Sequence, residues 1–141
     1  MDVSNNPALK NFNCSNNQLT SLDVSNNTIL EDLFCKNNSI TSIDVSALTV
    51  LENLRCHNNQ LTTLNVSNNT LLGQLTCAGN QITSLDVSNN TVLTYLHIGG
   101  NNYMGGTNLI TSLDLSNNTA LETLYCGFNQ LTSLDVSNNT A

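Results

Sequence analysis

Residues 9–29 read LKNFNCSNNQLTSLDVSNNTI, and the chain repeats that stretch along nearly its whole length. Leu9, Leu30, Leu51, Leu72 and Leu93 fall at a constant step of 21. The next leucine of the series is Leu121, so one repeat carries seven extra residues. Aligned on these leucines, one domain spanning 1–141 divides into a leading fragment, 1–8, and six units: 9–29, 30–50, 51–71, 72–92, 93–120 and 121–141. Self-similarity at a short fixed period marks a solenoid, in which one coil cannot bury its apolar face but a stack builds a continuous core.

The columns of this alignment carry the physics. The fourth position holds Phe12, Leu33, Leu54, Leu75, Leu96 and Leu124, and the sixth holds Cys14, Cys35, Cys56, Cys77, Ile98 and Cys126. The alternation LxxLxC suits a short strand facing a core. The ninth position reads as Asn throughout: Asn17, Asn38, Asn59, Asn80, Asn101 and Asn129. An amide there can turn along the stack and serve backbone groups that a tight coil would otherwise bury unpaired. The second half, LxxLxVxxN, follows the same grammar, which predicts an extended segment on both sides of each coil and no long helix. At about 4.8 Å per coil, six coils stack to roughly 30 Å.

The unit LxxLxCxxNxLTSLDVSNNTx closely resembles the leucine-rich repeat family, specifically the short repeats of bacterial surface and secreted proteins. The resemblance covers essentially the whole chain. It implies a right-handed solenoid, mostly β with short parallel strands, whose variable strand face recognises another macromolecule, and it implies an extracellular or cell-surface setting. The chain departs from the family in placing Cys where the third strand leucine stands, and neither end shows a recognisable cap.

Composition narrows the function further. The net charge is −7, and Lys10, Lys36 and Arg55 are the only strong cations, so nothing forms the basic footprint that nucleic acid or an anionic membrane requires. No apolar run approaches the ~18 residues of a spanning helix, and Met1–Lys10 has no apolar stretch like a signal peptide. The five cysteines share one inward column in which Ile98 replaces the sixth, so the slot calls for a small buried apolar group rather than a disulfide or a metal. Asn-x-Thr recurs at Asn26, Asn68, Asn89, Asn117 and Asn138, where turn formation explains it better than glycan attachment. No cofactor is expected.

The two halves of the coil differ in a way that bears on function. In the second half, Asp23, Asp44, Asn65, Asp86, Asp114 and Asp135 form one column and Thr20, Thr41, Thr62, Thr83, Thr111 and Thr132 another, a monotonous surface that reads as scaffold. Like charges on neighbouring coils repel. Hydrogen bonds to nearby Ser, Thr and Asn, solvent screening, or bound Ca²⁺ could each relieve this, although no loop matches a known calcium motif. The threonine rows also bring ice-binding solenoids to mind, but the hydrated Ser and Asp between them argue against it.

In the first half, positions three, five, seven and eight read as outward and vary freely. They gather Phe34, Lys36, Arg55, His57, Tyr95, His97, Tyr125 and Phe128, so both histidines, two of the three strong cations and four of the six aromatic rings share one face. Aromatics and Arg are the residues of interface hot spots. Register places Phe34 beside Arg55, and Tyr95 and His97 near Tyr125. The insertion, read as Asn102 to Leu109, adds Tyr103 and Met104 at the edge of that face. These residues, Tyr103 included, are the expected binding surface for a protein partner. A glycan is the second candidate, and a spacer segment of a larger surface protein is the alternative of another class. No nucleophile motif, phosphate loop or metal-spaced cluster points to an enzyme, and an open strand face is poor ground for electrostatic catalysis. The uncapped ends raise two further expectations: that the chain is a fragment, or that end coils stack on another copy.

Overall fold

The computed structural model describes residues 1–100 and 106–141. Six three-residue strands, β1 (Asn11–Asn13), β2 (Asp32–Phe34), β3 (Asn53–Arg55), β4 (Gln74–Thr76), β5 (Tyr95–His97) and β6 (Thr123–Tyr125), form one sheet in sequence order. All five pairings are parallel and in repeat register: Phe12 faces Leu33, Leu33 faces Leu54, and the series continues through Leu75 and Leu96 to Leu124. No helix occurs among the described residues, and none is therefore long and apolar enough to cross a membrane. The chain is a parallel-strand solenoid.

The core lies between the sheet and the second half of each coil. Leu33, Leu54, Leu75 and Leu96 from the strands meet Ile40, Leu61, Ile82 and Ile110 and the valines Val24, Val45, Val66 and Val87, all buried. Cys14, Cys35, Cys56 and Cys77 are buried free thiols, Cys126 is half-buried, and Ile98 fills the same column. Burial pushes the Cys77 thiol up to about 12 and raises Cys14, Cys35 and Cys56 as well.

Asparagine supplies the polar skeleton. Asn38 Nδ2 donates to the carbonyls of Cys14 and Cys35, while its Oδ1 accepts the Leu19 N–H. Asn59 and Asn80 repeat the arrangement one and two coils on. In the fifth unit, however, the residue in this place is Asn108: it bonds the Cys77 and Ile98 carbonyls and accepts from Ile82. The expected column member, Asn101, lies outside the described residues, and the seven extra residues are 101–107 rather than 102–109. The following Leu109 N–H donates to Ile82 O just as Gln81 donates to Leu61 O, which fixes the register.

The expected extended segment in the second half forms no strand among the described residues. Its backbone groups are taken by turns, as in Asn27 N–H to Val24 O and Leu30 N–H to Asn27 O. A second asparagine row joins coil to coil there: Asn27, Asn69, Asn90, Asn118 and Asn139 each donate to two carbonyls of the preceding coil. Leu48, wholly buried, interrupts that row. The hydrogen bonds expected for the Asp column are present. Each of Asp23, Asp44, Asp86, Asp114 and Asp135 accepts the backbone N–H of the serine two residues on, and Asn65 does the same with Ser67. Hydrogen bonds from those serines, backbone N–H and side chain together, hold the five carboxyls below their usual range.

Candidate functional site: the variable strand face

Within each strand the middle residue points into the core and its two neighbours face outward. The six strands therefore lay down two outward rows, Asn11, Asp32, Asn53, Gln74, Tyr95, Thr123 and Asn13, Phe34, Arg55, Thr76, His97, Tyr125. Register brings expected neighbours together. The Arg55 guanidinium carbon sits 4.9 Å from the centre of the Phe34 ring, a cation–π distance. The Tyr125 ring lies 5.9 Å from Tyr95 and 5.1 Å from His97, tilted by 57° in both cases.

Beyond the strands, position seven is not uniformly outward. Ala78 and Gly99 are buried there, and His57 and Lys36 are half-buried. Burial, then the nearby Lys36, His97 and Arg55 charges, hold the His57 imidazole down at about 4, so it is neutral at pH 7. Its Nδ1 is buried and has no hydrogen-bond partner among the described residues. Burial lowers His97 as well. The one ion pair among the described residues is Lys10 with Glu31, at 2.6 Å, so neither Lys36 nor Arg55 meets a carboxylate.

Position eight was not legible as special. Asn16, Asn37 and Asn58 are left-handed there, with φ of 58°, 55° and 55°, and Gly79 follows at 63°. Asn37 donates to Asn16 Oδ1 and Asn58 to Asn37 Oδ1 along the stack. Asn and Gly tolerate this conformation. Phe128 occupies the same slot at φ 59° with 56% of its surface exposed. A bulky residue held left-handed is strained by about 1 kcal/mol or more, and here the strain displays a ring.

Two depressions follow. Thr76 is short between Arg55 and His97, and Ala78 is short beside His57, so the fourth coil leaves a cleft of about 330 Å³ lined by Arg55, His57, Gln74, Thr76, Tyr95 and His97. Next to it, Gly99, Gly100 and Gly127 floor a groove of about 570 Å³ walled by Tyr95, His97, Tyr125 and Phe128. A Cβ on Gly99 would lie 2.8 Å from the Gly127 carbonyl oxygen, so the floor admits no side chain there. Thus Tyr95 and His97 border both depressions. Phe34 and Lys36 lie three coils from His97, and Tyr103 lies outside the described residues.

Among the described residues no group of three or more His, Cys, Asp or Glu is placed to hold a metal. No family model matches the chain, and no curated protein matches it. Solved structures do. The chain is 37% identical to the functional domain of InlJ from Listeria monocytogenes, a domain that includes a cysteine ladder; the match covers 99% of this chain and 34% of that one, with a TM-score of 0.71. An internalin from the same species, inlF, matches at 29% identity over 92% of this chain and 37% of its own, with a TM-score of 0.82. A leucine-rich-repeat protein of Leptospira interrogans shares the fold at 21% identity over 94% and 41%, with a TM-score of 0.65. The chain spans about a third of the length of the first of these. Repeat, register and neighbours agree: the chain is a leucine-rich-repeat solenoid of the bacterial type.

Proposed function

We propose that the chain is a non-enzymatic binding module that recognises a protein partner through its strand face, with Phe34, Lys36, Arg55, His57, Tyr95, His97, Tyr125 and Phe128 as the contact surface. Tyr103 belongs to the same proposal on sequence grounds. One observation carries the reading: in a chain poor in aromatics and cations, register collects them on the half of the coil whose outward residues vary. The other half repeats one Asp, Thr and Ser pattern whose Asp carboxylates hydrogen-bond the coil itself. Rigid, partly exposed rings and an unpaired Arg lose little entropy on docking, which suits them as anchors. The likeness to internalins supports an interaction module, and the family resemblance supports a cell-surface or secreted setting.

The test is a variant carrying Phe34→Ser, Arg55→Ser, Tyr95→Ser and Tyr125→Ser. These side chains are exposed or half-buried on the sheet, so the melting temperature should fall by only a few degrees. Affinity for a protein captured by the wild type should fall at least 100-fold. Retained affinity overturns the assignment.

A further inference from the structure

The cleft around Thr76 has a chemistry of its own. Its walls are Arg55 and His57 on one side and Tyr95 and His97 on the other, with Gln74 and Thr76 between them, and no carboxylate lines it. Every polar side chain there can donate a hydrogen bond. On the same face the one acid within the outward strand rows, Asp32, sits on β2 outside the lining. In a chain of net charge −7, whose Asp column lies on the other half of each coil, this is where a negative group meets the Arg55 charge and neutral donors rather than repulsion.

We propose, resting on the protein-binding reading above, that this cleft receives the carboxylate of an aspartate or glutamate on an extended segment of the partner, and that the glycine-floored groove takes an apolar side chain two residues along the same segment. Spacing supports the pairing. The cleft centres on β4 and the groove on β5 and β6, which are about 7–10 Å apart at ordinary strand spacing. Residues i and i+2 of an extended peptide point the same way and lie about 7 Å apart. The groove offers three rings, Tyr95, Tyr125 and Phe128, around a floor of glycine backbone, which fits a flat or branched apolar side chain. Arg55 is already stacked on Phe34, so its guanidinium is oriented before the carboxylate arrives.

A random linear peptide library displayed on phage and selected on the whole chain provides the probe. Enriched peptides should carry Asp or Glu with an aromatic or large aliphatic residue two positions away. The synthetic consensus should bind at least 10-fold more weakly when its acid becomes the amide, and equally so to a variant with Arg55→Gln and His97→Gln, whose fold is checked by circular dichroism. Enrichment of peptides without an acid, no enrichment, or equal binding by acid and amide forms overturns the proposal. Peptides that bind the Arg55→Gln, His97→Gln variant undiminished but lose the four-serine variant overturn the carboxylate cleft alone. Peptides that bind the four-serine variant undiminished overturn the strand-face reading itself. If sialyllactose at 10 mM shifts the Thr76 and His97 resonances while no acidic peptide is selected, the cleft serves acidic sugars and the peptide assignment falls.

Discussion

The Ile82 backbone N–H donates to Asn108 Oδ1 at 3.1 Å, while Asn108 Nδ2 donates to the Cys77 and Ile98 carbonyls at 3.1 and 2.9 Å. Each of these carbonyls also accepts from a second asparagine, Cys77 from Asn80 and Ile98 from Asn129, whereas the Ile82 N–H has no other partner among the described residues. Asn108 is buried. Asn108→Ala therefore strands a buried donor and should cost about 1–3 kcal/mol in urea unfolding. Asn17, at the exposed first coil, should cost less than half of that when changed to Ala.

The two asparagine rows should respond differently to leucine. Asn59 uses both ends of its amide. Asn69 uses only Nδ2, and the carbonyls it bonds, Val45 and Leu48, each already accept a backbone N–H. Its buried Oδ1 accepts nothing from the described residues, and Leu48 fills the equivalent place one coil earlier. Asn69→Leu should change stability by less than ~1 kcal/mol, while Asn59→Leu should cost about 2–4 kcal/mol. Equal costs would refute the distinction.

Two acid windows follow from the titrating groups. Hydrogen bonds from the following serine, side chain and backbone N–H together, hold Asp44 and Asp86 below the usual carboxylate range in the fold, so the unfolded chain takes up those protons first. Stability from this source is present above about pH 4 and is lost as pH falls through the lowered values. His57 acts earlier: it charges near 6.5 when unfolded but only at about 4 when folded, so stability declines as pH drops from about 6.5 towards 4. In a melting-temperature series, His57→Gln should flatten the upper window. Asp44→Asn with Asp86→Asn, copying Asn65, should flatten the lower one and leave stability at pH 7 equal or lower, since the amide keeps the serine bond but not the charge that strengthens it.

Thiol chemistry reads out the core column. Cys35, Cys56 and Cys77 are buried with raised pKa values, and Cys126 is the half-buried member. Under native conditions at pH 8, iodoacetamide should modify Cys126 alone within minutes, with the other four labelled only in denaturant. Rapid labelling of Cys56 or Cys77 in the folded protein would contradict the packing described here.

Much of this architecture was readable from the repeat. A period of 21 set the strand positions, and the Cys column with its Ile98 substitution announced burial. Pairing of Phe34 with Arg55 and of His97 with Tyr125 then followed from register alone. The insertion boundary was misread because an asparagine stands at both candidate places. The decisive signal was downstream, in Asn108-Leu109-Ile110-Thr111-Ser112, which matches Asn17-Gln18-Leu19-Thr20-Ser21 in type at every position but the second. The second half was expected to be extended because its apolar spacing mimics the first, yet turn bonds and amide rows satisfy its backbone instead. The cleft and groove were invisible in a column-by-column view, since they arise where short residues, Thr76 and Ala78 in one coil and Gly99 and Gly127 in the next two, stand beside long ones. Nor could the left-handed slot be seen until Phe128 broke a row of Asn and Gly.

The central claim is that the strand face, and not the constant face, meets the partner. Site-specific photo-crosslinking tests it most directly, with benzoylphenylalanine placed either at Gln74, exposed beside the cleft, or at Thr83, exposed on the constant half of the same coil. With a protein captured by the wild type, crosslinks should form from position 74 and be absent, or at least 10-fold fewer, from position 83. Crosslinking from position 83 with none from position 74 would contradict the account.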